Sequence, residues 1–67
     1  MDRAKRHREA AETHDRAADR HDEAADAWAG RGDERRAELE RRNAAIEREA
    51  AQLERDRAEL FDEPPEG

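Results

Sequence analysis

Three histidines are the side chains of this sequence best suited to chemistry, because imidazole binds metals and titrates near neutral pH. They recur every seven residues, at His7, His14 and His21. In an α-helix this spacing puts neighbouring histidines about 10.5 Å apart along the axis, too far to share one metal ion. The residues three and four places after each histidine are alanines. The sequence therefore predicts no metal site within one chain, and a metal- or pH-responsive bundle that uses these histidines is one alternative interpretation.

Other catalytic groups are scarce. The 67-residue chain has no cysteine, and Thr13 is its only residue with a hydroxyl side chain. Gly30-Arg31-Gly32 lacks the preceding strand and the glycine spacing of phosphate-binding loops. We therefore expect that the protein is not an enzyme and uses no cofactor.

The charge balance narrows the class of partner. Asp and Glu outnumber Lys and Arg by 20 to 14, a net charge of −6, and this makes nucleic acid an unlikely partner because nucleic-acid affinity depends on clustered basic residues. No apolar run approaches the roughly 20 residues of a membrane span. The first residues also lack the apolar stretch of a signal peptide. We expect a cytoplasmic protein that does not bind membranes.

Large apolar residues are too few for an ordinary core. Alanine accounts for 15 residues, and only seven are larger: Met1, Trp28, Leu39, Ile46, Leu53, Leu60 and Phe61. Charged residues make up 51% of the chain, and Ala, Glu and Arg, which dominate it, are strong helix formers. The composition predicts an all-α protein whose stability depends on a partner.

The first half of the chain repeats every seven residues. Trp28 continues the histidine series, and pairs of alanines follow each histidine: Ala10, Ala11, Ala17, Ala18, Ala24 and Ala25. Residues at this spacing share one helix face. The repeat predicts a narrow seam of small residues that a neighbouring helix can approach closely.

The second half has a larger apolar series, formed by Leu39, Ile46, Leu53 and Leu60, with Phe61 beside it. Heptad-spaced leucines are typical of a coiled-coil seam. A further series lies on roughly the opposite face: Ala37, Ala44, Ala51 and Ala58. We interpret this alanine series as helix-favouring filler rather than as a second contact.

A glycine-containing break separates the two patterns. Gly30 is suited to the left-handed position that ends a helix, and Asp33 to the cap that starts the next. The sequence predicts one domain over residues 1–62, with a helix over 2–29, a turn at 30–32 and a helix over 33–62. Residues 63–67 are expected to be a flexible acidic tail. A single continuous helix is the alternative.

A short loop makes the two helices antiparallel. The predicted register pairs large residues with small ones, for example Leu39 with Ala25 and Ile46 with Ala18. It also places His14 beside Ala50, and it places Trp28 beside Arg36, for a cation–π contact.

The runs His14–Ala25 and Gly32–Ala37, together with Trp28, carry a resemblance. They are similar to helical segments of small uncharacterised actinobacterial proteins and of regions beside actinobacterial ANTAR or GAF regulators. The resemblance covers about residues 7–58. It implies an actinobacterial cytoplasmic helical hairpin and assigns no residue a role.

These observations predict a coiled-coil-like, antiparallel two-helix hairpin that self-associates as a homodimer to form a four-helix bundle. An alternative is an adaptor or regulator that folds on a larger protein or nucleoprotein partner. The predicted interface residues are Ala10, Ala11, Ala17, Ala18, Ala24, Ala25, Trp28, Leu39, Ile46, Leu53, Leu60 and Phe61.

Overall fold

The computed structural model describes residues 2–62 and contains two α-helices, α1 (Arg3–Gly30) and α2 (Glu34–Asp62), that pack against each other. The predicted all-α hairpin is therefore confirmed, with helix ends within one residue of the expected bounds. The alternative of one continuous helix is wrong, because residues 31–33 interrupt the helical backbone. The predicted tail at 63–67 lies outside the described residues.

Both helix starts are capped by aspartate side chains. Asp2 accepts a hydrogen bond from the backbone N–H of Lys5 at 3.1 Å. Asp33 accepts one from the backbone N–H of Arg36 at 3.0 Å, as the sequence predicts. These bonds satisfy backbone donors that a helix start leaves without partners.

The turn ends α1 with three backbone hydrogen bonds that run back into the helix. The N–H groups of Arg31 and Asp33 both donate to the carbonyl of Trp28, and the N–H of Gly32 donates to that of Ala29. Gly32, at φ 79°, holds the left-handed position that this arrangement requires. The prediction that Gly30 occupies it is wrong, because α1 extends through Gly30.

The core of the hairpin consists of alanine alone among the described residues. Eight alanines, at heptad spacing in both helices, are at most 3% exposed: Ala4, Ala11, Ala18, Ala25, Ala37, Ala44, Ala51 and Ala58. We call these eight residues the alanine seam. The methyl group of alanine is small and leaves the helix surface nearly flat. A seam of alanines therefore permits close approach of two helices.

Two predictions about packing are therefore wrong. The series from Ala37 to Ala58 is the contact face of α2 rather than filler, and the leucine series does not pack on the alanines of α1. Ala25 and Ala18, which were paired with Leu39 and Ile46, are buried while both larger residues remain exposed. The reason is that α2 packs on α1 through the face that carries its alanines, so the face that carries its large apolar residues points away from α1.

Candidate interaction surfaces

One edge of the alanine seam carries three hydrogen-bonded pairs of histidine and glutamate. In each pair an imidazole Nδ1 of α1 lies within hydrogen-bonding distance of a carboxylate Oε2 of α2. The pairs are His7–Glu54 at 2.6 Å, His14–Glu47 at 2.7 Å and His21–Glu40 at 2.7 Å. We call them the His–Glu ladder. From one pair to the next, the residue number rises by seven in α1 and falls by seven in α2, so the same contact repeats at every heptad.

The other edge of the seam carries three pairs of arginine and aspartate. They are Arg8–Asp62, Asp15–Arg55 and Asp22–Arg48, and we call them the Arg–Asp ladder. The hydrogen bond from Arg48 to Asp22 raises the pKa of the Arg48 guanidinium. Arg8–Asp62 joins the basic start of α1 to the acidic end of α2. A ladder of paired polar side chains thus lies along each side of the seam.

The His–Glu ladder replaces the histidine neighbours that the sequence predicts. His14 bonds to Glu47 rather than lying beside Ala50. The predicted positions were wrong because they followed from the incorrect register of the leucine series. The residues one turn before and after His14 in α1 are all alanines, and those one turn before and after Glu47 in α2 are alanines and Asn43. No charged side chain therefore lies one turn away from this pair on either helix.

At the open end of the hairpin, the His7 pair is part of a larger cluster. Glu54 also accepts a hydrogen bond from Arg57 at 2.6 Å. The pKa of Glu54 is lowered, chiefly by the hydrogen bond with His7 and further by the hydrogen bond from Arg57. Desolvation of the carboxylate opposes this shift. Phe61 stacks on His7 with ring centroids 5.6 Å apart, and Arg3 lies 5.7 Å from the Phe61 centroid.

At the turn end, two guanidinium groups lie near the ring of Trp28. Arg36 is 4.7 Å and Arg31 is 5.2 Å from the ring centroid, distances at which a cation is attracted to the ring face. The predicted contact of Trp28 with Arg36 is confirmed. Arg36 also donates to Asp33 at 3.0 Å, so one arginine connects the tryptophan to the cap of α2.

The predicted interface residues divide into three groups. Ala11, Ala18 and Ala25 belong to the alanine seam and are covered by the chain itself. Ala10, Ala17, Ala24 and Trp28 are partly exposed. The exposed group is Leu39 at 55%, Ile46 at 61%, Leu53 at 50%, Leu60 at 70% and Phe61 at 47%. We call Leu39, Ile46, Leu53 and Leu60 the outer stripe.

The candidate metal-binding and hydroxyl groups of the described residues can now be placed. Within residues 2–62 there is no group of three His, Asp or Glu side chains placed to hold a metal ion. The Thr13 hydroxyl donates to the carbonyl of Glu9 at 3.1 Å. A surface groove of about 300 Å³ is lined by Arg8, Glu12, Arg55, Ala58, Glu59 and Asp62, and its Arg8–Asp62 pair belongs to the Arg–Asp ladder. Over the same range, neither helix is long and apolar enough to cross a membrane.

The reasoning from sequence missed the residues of α2 that form both ladders. Glu40, Glu47 and Glu54 recur at the same heptad spacing as the histidines, and each lies three places after a buried alanine. On α1 each histidine also lies three places after a buried alanine. Matching these two series gives the alanine seam and the His–Glu ladder together.

Comparison of the chain with protein-family models, with curated proteins and with solved structures gives no match. The resemblance to actinobacterial helical segments therefore stays a prediction.

Proposed function

We propose that the protein is a non-catalytic interaction module that self-associates through the outer stripe. In the proposed dimer two hairpins, each made of two antiparallel helices, form a four-helix assembly. One observation carries this proposal. Of the six apolar residues larger than alanine within residues 2–62, five are exposed, by 47% to 70%. Isolated exposed apolar residues are ordinary, but large apolar residues that recur at heptad spacing along one helix face are typical of a contact between helices.

The energetics of the hairpin favour a partner. Each alanine of the seam contributes one methyl group, and burying such a group is worth about 0.8 kcal/mol. Burying the exposed part of a leucine-sized side chain contributes about 1–2 kcal/mol. Covering the four residues of the outer stripe therefore adds stabilisation comparable with that of the whole alanine seam.

A second copy of the chain is the occupant that we propose. The outer stripe extends over Leu39–Leu60, most of the length of α2. A coiled-coil contact over that length needs a partner with apolar residues at the same period for the same number of turns. A second copy of the chain carries the same stripe. Two identical surfaces that face each other in an isologous contact form a closed dimer.

In this arrangement the two α2 helices lie at the centre and the two α1 helices outside. The alanines at positions 11, 18 and 25 hold each hairpin together rather than joining two copies, because they are already buried within one chain. The ladders along the seam likewise stay within each hairpin. The proposed assembly thus assigns Ala11, Ala18 and Ala25 to the contact within one hairpin, whereas the sequence predicts them as interface residues.

Mass in solution tests the proposal. Light scattering over a wide concentration range, with far-UV circular dichroism on the same samples, should give a dimer whose helicity rises with association. In the double variant Ile46→Gln, Leu53→Gln the mass should fall to that of a monomer. Ala45→Gln is the matched control, because Ala45 is exposed on α2 outside the stripe, and its mass should follow the parent protein.

Two results would contradict self-association through the outer stripe. One is a monomeric mass at every concentration, which leaves the outer stripe to a different protein and so favours the adaptor interpretation. The other is a dimer that survives substitution of Ile46 and Leu53, which places the contact elsewhere.

A further inference from the structure

We infer that the second copy docks antiparallel on α2, about a twofold axis that crosses the outer stripe between Ile46 and Leu53. This inference rests on the proposed self-association and specifies its geometry. It follows from two properties of α2: the symmetry of the stripe about its midpoint, and the order of charges along one of its edges.

The stripe is self-complementary when one α2 is reversed. Ile46 then lies opposite Leu53 of the second copy, and Leu39 lies opposite Leu60 of the second copy. All four side chains, which are exposed in the single hairpin, gain an apolar partner. Moving one helix along by a heptad leaves the terminal leucine of each stripe without a partner, so the symmetric register buries the most apolar surface.

Charges along the edge of the stripe distinguish the two orientations. Arg42, Glu49 and Asp56 follow each other at heptad spacing, three places after Leu39, Ile46 and Leu53, and all three are exposed. In a parallel pair the twofold axis runs along the helices and places the two copies of this edge on opposite sides of the contact, so these residues would not face one another. In the antiparallel pair Arg42 faces Asp56 of the second copy, and this favourable contact occurs twice.

Glu49 is the exception in the antiparallel pair, since it lies beside the axis and faces its own copy. Like charges at such flanking positions are unfavourable, and charge pairs there select orientation in helical assemblies. Two favourable contacts against one unfavourable contact leave a net attraction in the antiparallel pair, and a parallel pair gains none of these contacts. The position of Glu49 beside the axis also makes it the site at which a symmetric cross-link reports the geometry.

Single cysteines introduced at the three edge positions test the inference, because the chain has no cysteine of its own. The variants Arg42→Cys, Glu49→Cys and Asp56→Cys are oxidised mildly and analysed on non-reducing gels, with the mass of each reduced variant measured beforehand. Ala45→Cys, exposed on α2 outside the stripe and its edge, is the control for random collision.

The antiparallel geometry predicts a disulfide-linked dimer for Glu49→Cys. Alone, Arg42→Cys should not cross-link, because in that geometry the two copies of residue 42 are separated by about 14 residues, or about 21 Å, along the helix axis. A disulfide needs Cα atoms within about 7 Å. Asp56→Cys alone should behave in the same way, whereas an equal mixture of the two should cross-link to each other.

Each other result overturns the inference. Cross-linking of all three single variants shows that no axis beside residue 49 distinguishes that position. A reduced dimer in which Glu49→Cys does not cross-link shows that the pair is parallel or that the axis lies elsewhere, although the chain still self-associates. Monomeric mass in every reduced variant and in the parent protein overturns both the geometry and the proposed self-association.

Discussion

Ala37 and Leu39 are two residues apart in α2, yet Ala37 is fully buried while Leu39 is 55% exposed. Two residues turn about 200° around a helix, so their side chains point in nearly opposite directions. The same relationship repeats one heptad later at Ala44 and Ile46. Each heptad of α2 therefore presents a small residue to α1 and a large one to the outside. Substitutions can consequently change the fold of the hairpin and its outer surface separately.

Enlarging a residue of the alanine seam should destabilise the hairpin. Ala44 is fully buried, and the added carbons of Ala44→Leu would force the helices apart at a cost of about 1–3 kcal/mol. Urea unfolding followed by circular dichroism measures this loss. Ala45→Leu is the matched control, because Ala45 is exposed and the change there should stay within about 0.5 kcal/mol. Equal losses in the two variants would show that Ala44 is not at a close helix contact.

Local features of the hairpin could be predicted from the sequence because they depend on residues close together in the chain. The two helices, the break between them, the Asp33 cap and the contact between Trp28 and Arg36 are all of this kind. The choice of Gly32 over Gly30 was missed, since both glycines suit a helix end and only the backbone hydrogen bonds select one. Such choices shift a boundary by one residue and leave the fold unchanged.

The choice of contact face could not be read from hydrophobicity. Burying the leucine series is the better choice if each side chain is considered alone, whereas the hairpin buries alanines and exposes Leu53 by 50%. The alanine face is favoured because packing through it also brings the residues of both ladders into contact. The signal is the matching heptad series of histidine on α1 and glutamate on α2, for example His14 and Glu47, and it appears only when the two helices are compared.

Alanine at the two glycine positions should have opposite effects. Gly32 has φ 79°, and a side chain in the left-handed region costs about 1–2 kcal/mol, so Gly32→Ala should destabilise the hairpin. Gly30 is helical, and a Cβ there meets nothing within 4 Å. Gly30→Ala should therefore stabilise it by up to about 1 kcal/mol. Thermal unfolding of both variants checks the signs, and a loss of stability in Gly30→Ala would contradict the assigned end of α1.

Trp28 should report on the turn through its fluorescence, because it is the only tryptophan. Removing the guanidinium that lies 4.7 Å from its ring, by Arg36→Ala, exposes the ring and should shift its emission to longer wavelength. The lost cation–π contact should also lower the free energy of unfolding by about 0.5–1 kcal/mol. Arg35→Ala removes an exposed neighbouring arginine and should leave the emission unchanged. A shift of the same size in both variants would indicate a general charge effect.

The hydrogen bond of 2.7 Å between His14 and Glu47 should couple the two helices. Both side chains are partly exposed, so the contribution of this contact to stability is expected to be modest. A double-mutant cycle with His14→Gln and Glu47→Gln, followed by urea unfolding, should give a coupling of about 0.2–1 kcal/mol. The same cycle on Asp22–Arg48, with Asp22→Asn and Arg48→Gln, compares this contact with a pair of the Arg–Asp ladder. A cycle that gives no coupling between His14 and Glu47 would show that their contact does not stabilise the hairpin.

Glu54 should contribute to the loss of stability in acid. Its pKa lies below the ordinary value of 4.5, chiefly because of the hydrogen bond with His7. A carboxylate with a lowered pKa in the folded state stabilises the protein above its unfolded pKa, and this stabilisation disappears as pH falls through the folded pKa. The urea midpoint of the parent protein should therefore decrease between pH 5 and pH 3, and Glu54→Gln should decrease less. Glu59→Gln, at an exposed site of α2, should retain the full decrease. If Glu54→Gln and the parent lose stability equally over this range, the bond between His7 and Glu54 does not favour the charged carboxylate.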